Sequence, residues 1–426
     1  MGRRKRTNDG ADDAVLDVAA EGAGLEKVQI QGLRKIRSIS RLLAGLRDEG
    51  RQRDKAGNRE LFLDRYCGLL LLSYFSPAMD SLRKLEQASG TAKVQKLLGC
   101  KKTSRAALSE AASHFDSEAV EGLFAELVEK IPRAALPPDL KNVHSQVVAV
   151  DGSLLATLPQ IAGAALGTNR GVRLHVHFEI FRGTPIDAEI TNGSNGAKAN
   201  EKASLRRLLQ SDRLYVVDRG YVQFSLFNAI VRKKSSYVCR LRQDQVFETE
   251  ETRELSPAAR AAGVQEDAVG RLGSLKSVRI ERPDHCVRRV VFQVDVAPRR
   301  KKTAKKGAKK KPSPPTKQTI EVVTNLLDVP VETIATLYRH RWKIELFFRW
   351  LKCTIGLSHL FSRSPEGLRI QVYCALVACL LVHLIAGRKP TELTFSAVSL
   401  YVQGWMTEAE LVAHLRTLSL VETLAS

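Results

Sequence analysis

The pattern of apolar and polar positions divides the chain into a helical first part and a mixed second part. Up to about residue 140, apolar residues recur at helical spacing, as between Leu61 and Leu72, and prolines at 132, 137 and 138 end this part. From Val147 onward, short apolar runs of strand length alternate with segments of helical period. The pattern therefore predicts an α/β protein preceded by a small helical domain.

The order of elements in the second part predicts a mixed sheet. Residues Val172 to Phe181 alternate strictly between apolar and polar positions, which is typical of a strand with one buried face. The predicted order is three strands, a helix, a strand, a helix and a strand, over residues 147–152, 172–181, 186–190, 199–210, 214–218, 224–231 and 236–241. Alternation of this kind builds an α/β sheet with flanking helices.

A polar insertion interrupts this alternation between about residues 243 and 326. Within it, residues 299–317 carry ten basic side chains and no acid, and prolines at 312, 314 and 315 oppose regular structure. We interpret this run as a disordered loop that clamps DNA, with a solvated linker as the alternative.

One apolar segment, Ile370 to Gly387, approaches the length of a membrane span. A helix buried on all sides of a large domain has the same composition, and the chain contains no second such segment. We therefore expect a core helix, with Cys374 and Cys379 as core residues, and no membrane partner.

The charge balance points to a polyanionic partner. The chain has 67 Lys and Arg against 46 Asp and Glu, a formal net charge of +21, which favours nucleic acid through phosphate neutralisation. A ribosome-associated or anionic-membrane protein, or an enzyme with basic tails, remains an alternative. The seven cysteines form no Cys-x-x-Cys pair, which argues against disulfide frameworks and zinc knuckles and fits a reducing compartment. The basic N-terminus lacks the apolar core of a secretory signal.

The strongest local motif lies in Val331 to Cys353, where the pattern predicts one helix between Pro330 and Gly356. Tyr338, Arg341, Glu345 and Lys352 follow one another at intervals of three, four and seven residues, so one helix face would present all four. A carboxylate can hold a divalent metal while cations and a hydroxyl bind phosphate oxygens. The alternative is an ordinary salt-bridge stripe on a solvated face.

Two aspartates change this weighing. Asp151 and Asp218 each end an apolar strand, and adjacent strands would bring both to one edge of the sheet, where ligands of α/β sheets commonly bind. With Glu345 packed nearby, three oxygen ligands without His or Cys favour Mg²⁺ or Mn²⁺, and two ions can share them. Taken alone, each aspartate could be a turn residue.

These residues resemble the DDE transposases of bacterial insertion sequences, specifically the insertion-sequence-four family with its Tyr-(2)-Arg-(3)-Glu-(6)-Lys signature. Tyr338, Arg341, Glu345 and Lys352 match that spacing, and the blocks around Asp151 and Asp218 look like the other two motifs. The similarity covers about residues 145–390. It implies a ribonuclease-H-like core, a β-rich insertion and cut-and-paste DNA transposition in the bacterial cytoplasm, associated with the nucleoid.

The resemblance also implies residue roles. Asp151, Asp218 and Glu345 would be the catalytic metal ligands, while Tyr338, Arg341 and Lys352 would contact phosphates of the transposon end. Further candidates for DNA contact are Arg219 and Tyr221. The implied partners are terminal inverted repeats and target DNA, bound by a homodimer. Hairpin-forming members hold a flipped base on an insertion aromatic, but this insertion contains only Phe247 and Phe292 and no Trp, which puts the hairpin in doubt.

Other candidates have ordinary explanations. His175 and His177 have ligand-like spacing, but without a third ligand we expect a polar sheet face. Ser153 has no identifiable histidine partner for a nucleophile. For Trp342 and Trp350, packing is favoured over base stacking.

The expected organisation and the rival functions follow. The expected segments are a disordered basic arm (1–11), a helical domain for DNA binding or for dimerisation (12–140), the first part of the core (145–242), the insertion (243–326), the rest of the core (327–390) and a helical C-terminal segment (391–426). The rival functions are a transposase descendant that binds DNA without cutting it, and a ribonuclease-H-like nuclease or resolvase without strand transfer.

Overall fold

The structure is a computed structural model that describes residues 61–140, 146–155, 172–192, 197–242, 245–273, 282–296, 316–357 and 364–425, except Pro77, Cys100 and Arg388, together with a few isolated residues. The predicted basic arm, the strand-like piece near Ser277 to Ile280 and residues 299–315 of the lysine-rich run lie outside the described residues. The chain forms two compact units, one from residues 1–132, 160–167 and 350–426 and the other from 133–159 and 168–349.

The helices and strands are named in chain order. They are α1 (Leu63–Tyr74), α2 (Leu82–Ser89), α3 (Ala92–Leu98), α4 (Arg105–His114), α5 (Glu118–Lys130), β1 (Gln146–Leu155), β2 (Val172–Glu179), β3 (Thr184–Asn192), α6 (Ala197–Arg207), β4 (Arg213–Val217), α7 (Phe224–Arg232), β5 (Ser236–Arg240), β6 (Phe247–Thr252), α8 (Pro257–Ala261), β7 (Val264–Leu272), β8 (Val287–Val296), β9 (Thr316–Thr324), α9 (Val331–His340), α10 (Trp342–Cys353), α11 (Pro365–Ala386), α12 (Glu392–Gln403) and α13 (Glu408–Ala425).

The first unit is helical and is organised around α11, the apolar segment of the sequence. Ser364 caps this helix by accepting a hydrogen bond from the Gly367 N–H, and Gly387 ends it in the left-handed conformation that glycine adopts at low cost. By length and composition α11 could cross a membrane, but 94% of its most apolar window is buried inside the protein. It packs against α1, α4, α5 and α12. The expectation of a buried core helix is confirmed.

The second unit contains a nine-stranded sheet in the order β3-β2-β1-β4-β5-β9-β8-β7-β6. The β1–β4 and β4–β5 pairs are parallel, and all other neighbours are antiparallel. The mixed α/β sheet predicted from the sequence is therefore confirmed. The strands of the insertion, β6 to β9, are not set apart, because β9 pairs with β5 and extends the same sheet.

A compact apolar core lies beneath α7 in this unit. Phe227 of α7 stacks on Tyr237 of β5 with ring centroids 4.3 Å apart, and both side chains are fully buried. Leu205 of α6 and Val217 of β4 belong to the same cluster. Burial of each such side chain stabilises the fold by about 1.5–3 kcal/mol, so α6, α7 and the parallel strands form one rigid support.

The insertion strands hold the start of α9 through a buried ion pair. Arg288 of β8 donates from Nε and Nη2 to the two carboxylate oxygens of Asp267 in β7, at 2.7 Å each. Its Nη1 donates to the backbone oxygens of Leu327 and Val329, just before α9. Since both charged side chains are 4% exposed, this arrangement, hereafter the Arg288 clamp, has nearly all its polar groups paired.

The single helix predicted for Val331 to Cys353 is wrong: the segment divides into α9 and α10 at Arg341. Around the division, the Arg341 N–H bonds to the Tyr338 oxygen and the Ile344 N–H to the Arg341 oxygen, a three-residue spacing tighter than an α-helical turn. The two helices have separate anchors. Arg339 donates to the Gln293 oxygen of β8, whereas Phe347 packs on Phe178 of β2 with centroids 5.0 Å apart.

Candidate active site

Asp151 and Asp218 lie just beyond the last residues that pair in the parallel strands β1 and β4. Parallel pairing of β1 with β4 runs one-to-one from Gln146 opposite Arg213 to Ala149 opposite Val216. The last pair of this register lies two residues before both Asp151 and Asp218, and the charge of Asp218 raises the pKa of Asp151, so the two carboxylates are close to one another. The placement of Asp151 at a strand end is corrected, because β1 continues to Leu155 through its antiparallel pairing with β2.

Burial leaves the Asp151 carboxylate poorly solvated. The Asp151 Oδ1 accepts a hydrogen bond from the Gly152 N–H at 2.8 Å, and Asp218 accepts one from the Gly220 N–H. The pKa of Asp151 is raised from 3.8 to about 6, mainly by burial. The charge of Asp218 raises it further, whereas the hydrogen bond from Gly152 and the charge of Arg341 lower it. The charges of Asp218 and Arg341 therefore act on Asp151.

Glu345 lies in the first turn of α10 and is paired with Arg341, whose charge also acts on Asp151. The Arg341 Nη2 lies 2.6 Å from the Glu345 Oε1, and the two side chains are 13% and 31% exposed. Arg341 Nε is buried and has no hydrogen-bond partner in the described part of the chain. The pair is therefore only partly satisfied, and it stands beside a carboxylate that burial has made basic.

Tyr338 lies behind Arg341. Its ring is 5% exposed, meets Phe292 edge-on at 6.2 Å and has the Arg341 guanidinium 5.8 Å from its centroid. Burial raises the pKa of Tyr338, so the phenol keeps its proton and can donate a hydrogen bond. Lys352 lies seven residues after Glu345 on α10, in the part of the helix that belongs to the first unit.

The two weaker candidates for DNA contact, Arg219 and Tyr221, differ in exposure. Asp218 caps a short 3-10 turn from Arg219 to Tyr221, with Arg219 exposed. Tyr221 is 1% exposed and belongs to the apolar core of this unit. Its side chain lies near Asp151, Glu201 and Asp218, whose charges, together with burial, raise the pKa of the phenol. The DNA contact of Tyr221 stays a prediction.

The two histidines of β2 are buried, contrary to the expectation of a polar sheet face. His175 and His177 are 1% and 3% exposed. Burial lowers the pKa of His175 to about 4 and that of His177 to about 3, so both imidazoles are neutral near pH 7. The alternation in the sequence indicated the strand correctly, but β2 has neighbours on both edges and buried residues on both faces. Ser153 is half-buried on β1.

The aromatic residues near the signature also need a correction. Trp342, expected to pack, is 53% exposed, whereas Trp350 meets Phe395 edge-on at 5.7 Å within the first unit. In the insertion, Phe292 is fully buried and Phe247 is covered by the Arg289 guanidinium at 4.8 Å. Neither insertion aromatic presents an exposed ring in this structure.

Glu201 is a residue of this site that sequence reasoning missed. It lies on α6 and forms an ion pair with Arg173 of β2, with 2.5 Å between Arg173 Nη1 and Glu201 Oε1. Its charge raises the pKa of Asp151, although less than burial does. The only indication in the sequence was an acidic residue on the helix before the strand that leads to Asp218, which is too common a pattern to single out.

Comparison with known proteins decides the family. The family model described as "Transposase DDE domain" matches residues 144–381, which is more than half of the chain. The chain belongs to the DDE transposases. It is accordingly a DNA transposase, an enzyme that cleaves DNA and transfers strands, and the family implies dependence on divalent metal ions.

Curated relatives carry the same description. This transposase is 25% identical over 316 residues to a protein named as a transposase for insertion sequence element IS5377 of Geobacillus stearothermophilus, covering 72% of the present chain and 74% of the relative. It is 26% identical over 222 residues to transposase y4zB of Sinorhizobium fredii, covering 52% and 55%. A transposase for insertion sequence element IS4SA of Synechocystis is 33% identical over 90 residues, covering 21% and 27%.

A solved structure of the piggyBac transposase synaptic complex with hairpin DNA aligns with a TM-score of 0.37 and 11% identity, covering 89% of this chain and 76% of that one. A likeness this distant supports no inference about the transposase.

The donor set of the transposase site suits a hard divalent cation, but the carboxylates are held apart. Asp151, Asp218, Glu201 and Glu345 offer only oxygen donors, which Mg²⁺ prefers. Within the described residues, no group of three or more His, Cys, Asp or Glu side chains is close enough to hold a metal ion. Each carboxylate already has a partner: Arg341 pairs with Glu345, Arg173 pairs with Glu201, and the aspartates accept backbone hydrogen bonds.

Proposed function

We propose that Asp151, Asp218 and Glu345 hold two Mg²⁺ or Mn²⁺ ions, and that Tyr338, Arg341 and Lys352 bind phosphates at the transposon end. The observation that carries this proposal is the closeness of two carboxylates: the register of β1 and β4 ends two residues before each of Asp151 and Asp218, and the charge of Asp218 raises the pKa of Asp151. The raised pKa of Asp151, caused mainly by burial, supports it, because a buried carboxylate of this kind gains from a cation.

The protein side chains have distinct tasks in this proposal. When bound, the metal ions would activate an attacking oxygen and stabilise the leaving oxygen. Arg341, released from Glu345, would bind a non-bridging phosphate oxygen, and the protonated phenol of Tyr338 would donate a hydrogen bond beside it. Arg219, exposed on the turn after Asp218, is a weaker candidate for contact with the DNA backbone.

We further propose cut-and-paste transposition from terminal inverted repeats into target DNA by a ribonuclease-H-like core of the insertion-sequence-four type. Hydrolysis of the phosphodiester at the end frees a 3′-hydroxyl, which then attacks a target phosphodiester and displaces the target's own 3′-hydroxyl. The antiparallel strands β1 to β3 followed by the parallel β4 and β5 support the proposed core. A homodimer on DNA stays a prediction, which the mass of the protein with and without end DNA would check.

The test is Glu345→Gln, which keeps the shape of the side chain and removes its charge. We expect the variant to bind labelled transposon-end DNA as wild type does and to lose cleavage by at least about 10³-fold. The matched control is Glu266→Gln, because Glu266 is also paired with an arginine but lies on β7 in the insertion sheet. Cleavage at the wild-type rate by Glu345→Gln would overturn the proposed site.

A further inference from the structure

We propose that Glu201 is a fourth carboxylate of the metal centre, and that Arg173 and Arg341 act as internal counter-ions for Glu201 and Glu345 until a divalent ion replaces them. This inference rests on the proposed function, because it concerns the same pair of aspartates. It adds a metal-binding residue and a role for two arginines that the signature motif does not supply.

Glu201 lies between the residues that follow the two aspartates. Its Oε1 is 3.2 Å from the point where a β-carbon on Gly152 would stand, and its Oε2 is 3.8 Å from the corresponding point at Gly220. Gly152 directly follows Asp151, and Gly220 follows Asp218 by two residues. The glycines thus let the glutamate approach the strand edge from above, where larger side chains would meet its oxygens.

Glu201 and Glu345 are each paired with one arginine. Arg173 lies 2.5 Å from Glu201, with side chains 18% and 15% exposed, and Arg341 lies 2.6 Å from Glu345, with side chains 13% and 31% exposed. Four carboxylates in a partly buried site repel one another, and each arginine offsets one charge. A divalent ion bound among them would take over that role and leave the arginines able to bind phosphate.

An independent observation points to a ligand at the same place. His175 is 1% exposed, and its Nδ1 lies 3.1 Å from the β-carbon position at Gly152, next to Glu201 Oε1. Its Nε2 is bonded to Thr191 Oγ1 at 2.8 Å, whereas Nδ1 has no protein partner within the described chain. A buried polar nitrogen without a partner is costly, so its direction toward the carboxylates indicates a site that receives a ligand or its hydration shell.

The competing explanation is that Arg173 and Glu201 form a structural ion pair that joins β2 to α6. The two explanations predict different effects on metal affinity when either residue is neutralised. If the pair is structural, neutralising either member destabilises the fold and leaves metal affinity unchanged. If Glu201 is a ligand, neutralising it weakens metal binding, whereas neutralising Arg173 removes a competitor for Glu201 and leaves the affinity equal or tighter.

The experiment is a Mn²⁺ titration of the full chain, followed by the electron paramagnetic resonance signal of free Mn²⁺. We expect Glu201→Gln to weaken Mn²⁺ binding about 10- to 100-fold, the range for groups that support a metal site. Arg173→Gln should bind Mn²⁺ at least as tightly as wild type, and the control Glu266→Gln should bind as wild type does. Thermal unfolding without metal checks that each variant is folded.

Glu201→Gln leaves Arg173 without its partner and could fail to fold. In that case the double variant Arg173→Gln/Glu201→Gln removes both charges. We expect this double variant to bind Mn²⁺ about 10- to 100-fold more weakly than wild type, as for the single change. Binding within about threefold of wild type by the folded glutamate variant contradicts the inference. Asp151→Asn separates the two levels of the proposal. If it weakens binding while Glu201→Gln does not, only the fourth carboxylate is wrong; if neither weakens binding, the proposed metal centre is wrong as well.

Discussion

Two arginine–carboxylate pairs in the same unit show how differently the protein uses one kind of interaction. In the Arg288 clamp, two guanidinium nitrogens bind both oxygens of Asp267 and the third binds backbone oxygens before α9, with both side chains 4% exposed. In the site, Arg341 makes one 2.6 Å contact with Glu345, its Nε is buried without a protein partner, and Glu345 is 31% exposed.

The difference separates a structural pair from a functional one. A buried pair whose donors and acceptors are all used keeps its geometry, and removal of one member leaves the other charge buried and unpaired. A pair with unused donors can exchange partners at small cost, which a phosphate-binding arginine requires. The number of satisfied donors is therefore more informative here than the presence of a salt bridge, and four predictions follow from it, in order of expected size.

The largest effect should come from breaking the clamp. Asp267→Asn leaves Arg288 buried without its counter-charge, so we expect a loss of about 3–5 kcal/mol in the free energy of unfolding. Urea unfolding measures it. Glu345→Gln breaks the partly exposed Arg341–Glu345 pair, and we expect it to lower the free energy of unfolding by no more than about 1 kcal/mol. Equal losses in the two variants would remove the distinction.

The second effect should appear in activity instead of stability. Arg341→Gln removes the proposed phosphate ligand, so we expect cleavage of transposon-end DNA to fall about 10²- to 10³-fold, equivalent to about 2.7–4 kcal/mol of activation free energy. Arg289→Gln, which breaks a pair with Glu266 in the insertion sheet, is the control and should cleave normally. If Arg341→Gln cleaves normally but is less stable, the Arg341–Glu345 pair is structural, like the Arg288 clamp.

The third effect is a dependence of stability on pH that comes from the buried carboxylate of Asp151. Because burial raises the folded-state pKa of Asp151 from 3.8 to about 6, its protonated form favours folding. This stability is present below about pH 4 and lost as the pH rises through 6, at about 1.4 kcal/mol per unit of pKa shift. In a metal chelator, Asp151→Asn should therefore be more stable than wild type above pH 6.

Thermal or urea unfolding at pH 4 and pH 8 measures the difference between these two proteins. It should vanish at the lower pH, where the wild-type carboxyl is also neutral, and shrink when Mn²⁺ is added at the higher pH. A difference of the same size at both pH values would mean that the substitution acts through packing.

The smallest effects should come from two glycines. A β-carbon on Gly220 would stand 2.9 Å from Asp218 Oδ1, so Gly220→Ala should displace that carboxylate and weaken Mn²⁺ binding, with a stability change of about 1 kcal/mol or less. Gly122, inside α5, has nothing within 4 Å of its β-carbon position, and Gly122→Ala should stabilise the helix by about 0.5–1 kcal/mol. Unaltered Mn²⁺ affinity in Gly220→Ala would show that Asp218 does not need its present position.

Local periodicity in the sequence correctly predicted the elements that do not depend on contacts with distant segments. The strand Val172–Glu179, the helix Phe224–Arg232 and the apolar helix Pro365–Ala386 were all predicted, because spacing of 2 or 3.6 and a continuous apolar run depend on the chain itself. The division at Arg341 was missed. The helices on its two sides contact residues distant in sequence, Gln293 for Arg339 and Phe178 for Phe347, and no local pattern records such contacts.

By itself, the sequence determined the order of strands and helices, the basic character of the chain and the spacing of Tyr338, Arg341 and Glu345. Only the tertiary structure decided which groups meet. The parallel pairing of β1 with β4 brought Asp151 close to Asp218, and the approach of α6 brought Glu201 to them. Burial made Tyr221 and both β2 histidines core residues. Burial and charge coupling depend on neighbours supplied by other segments, so no local pattern could have predicted them.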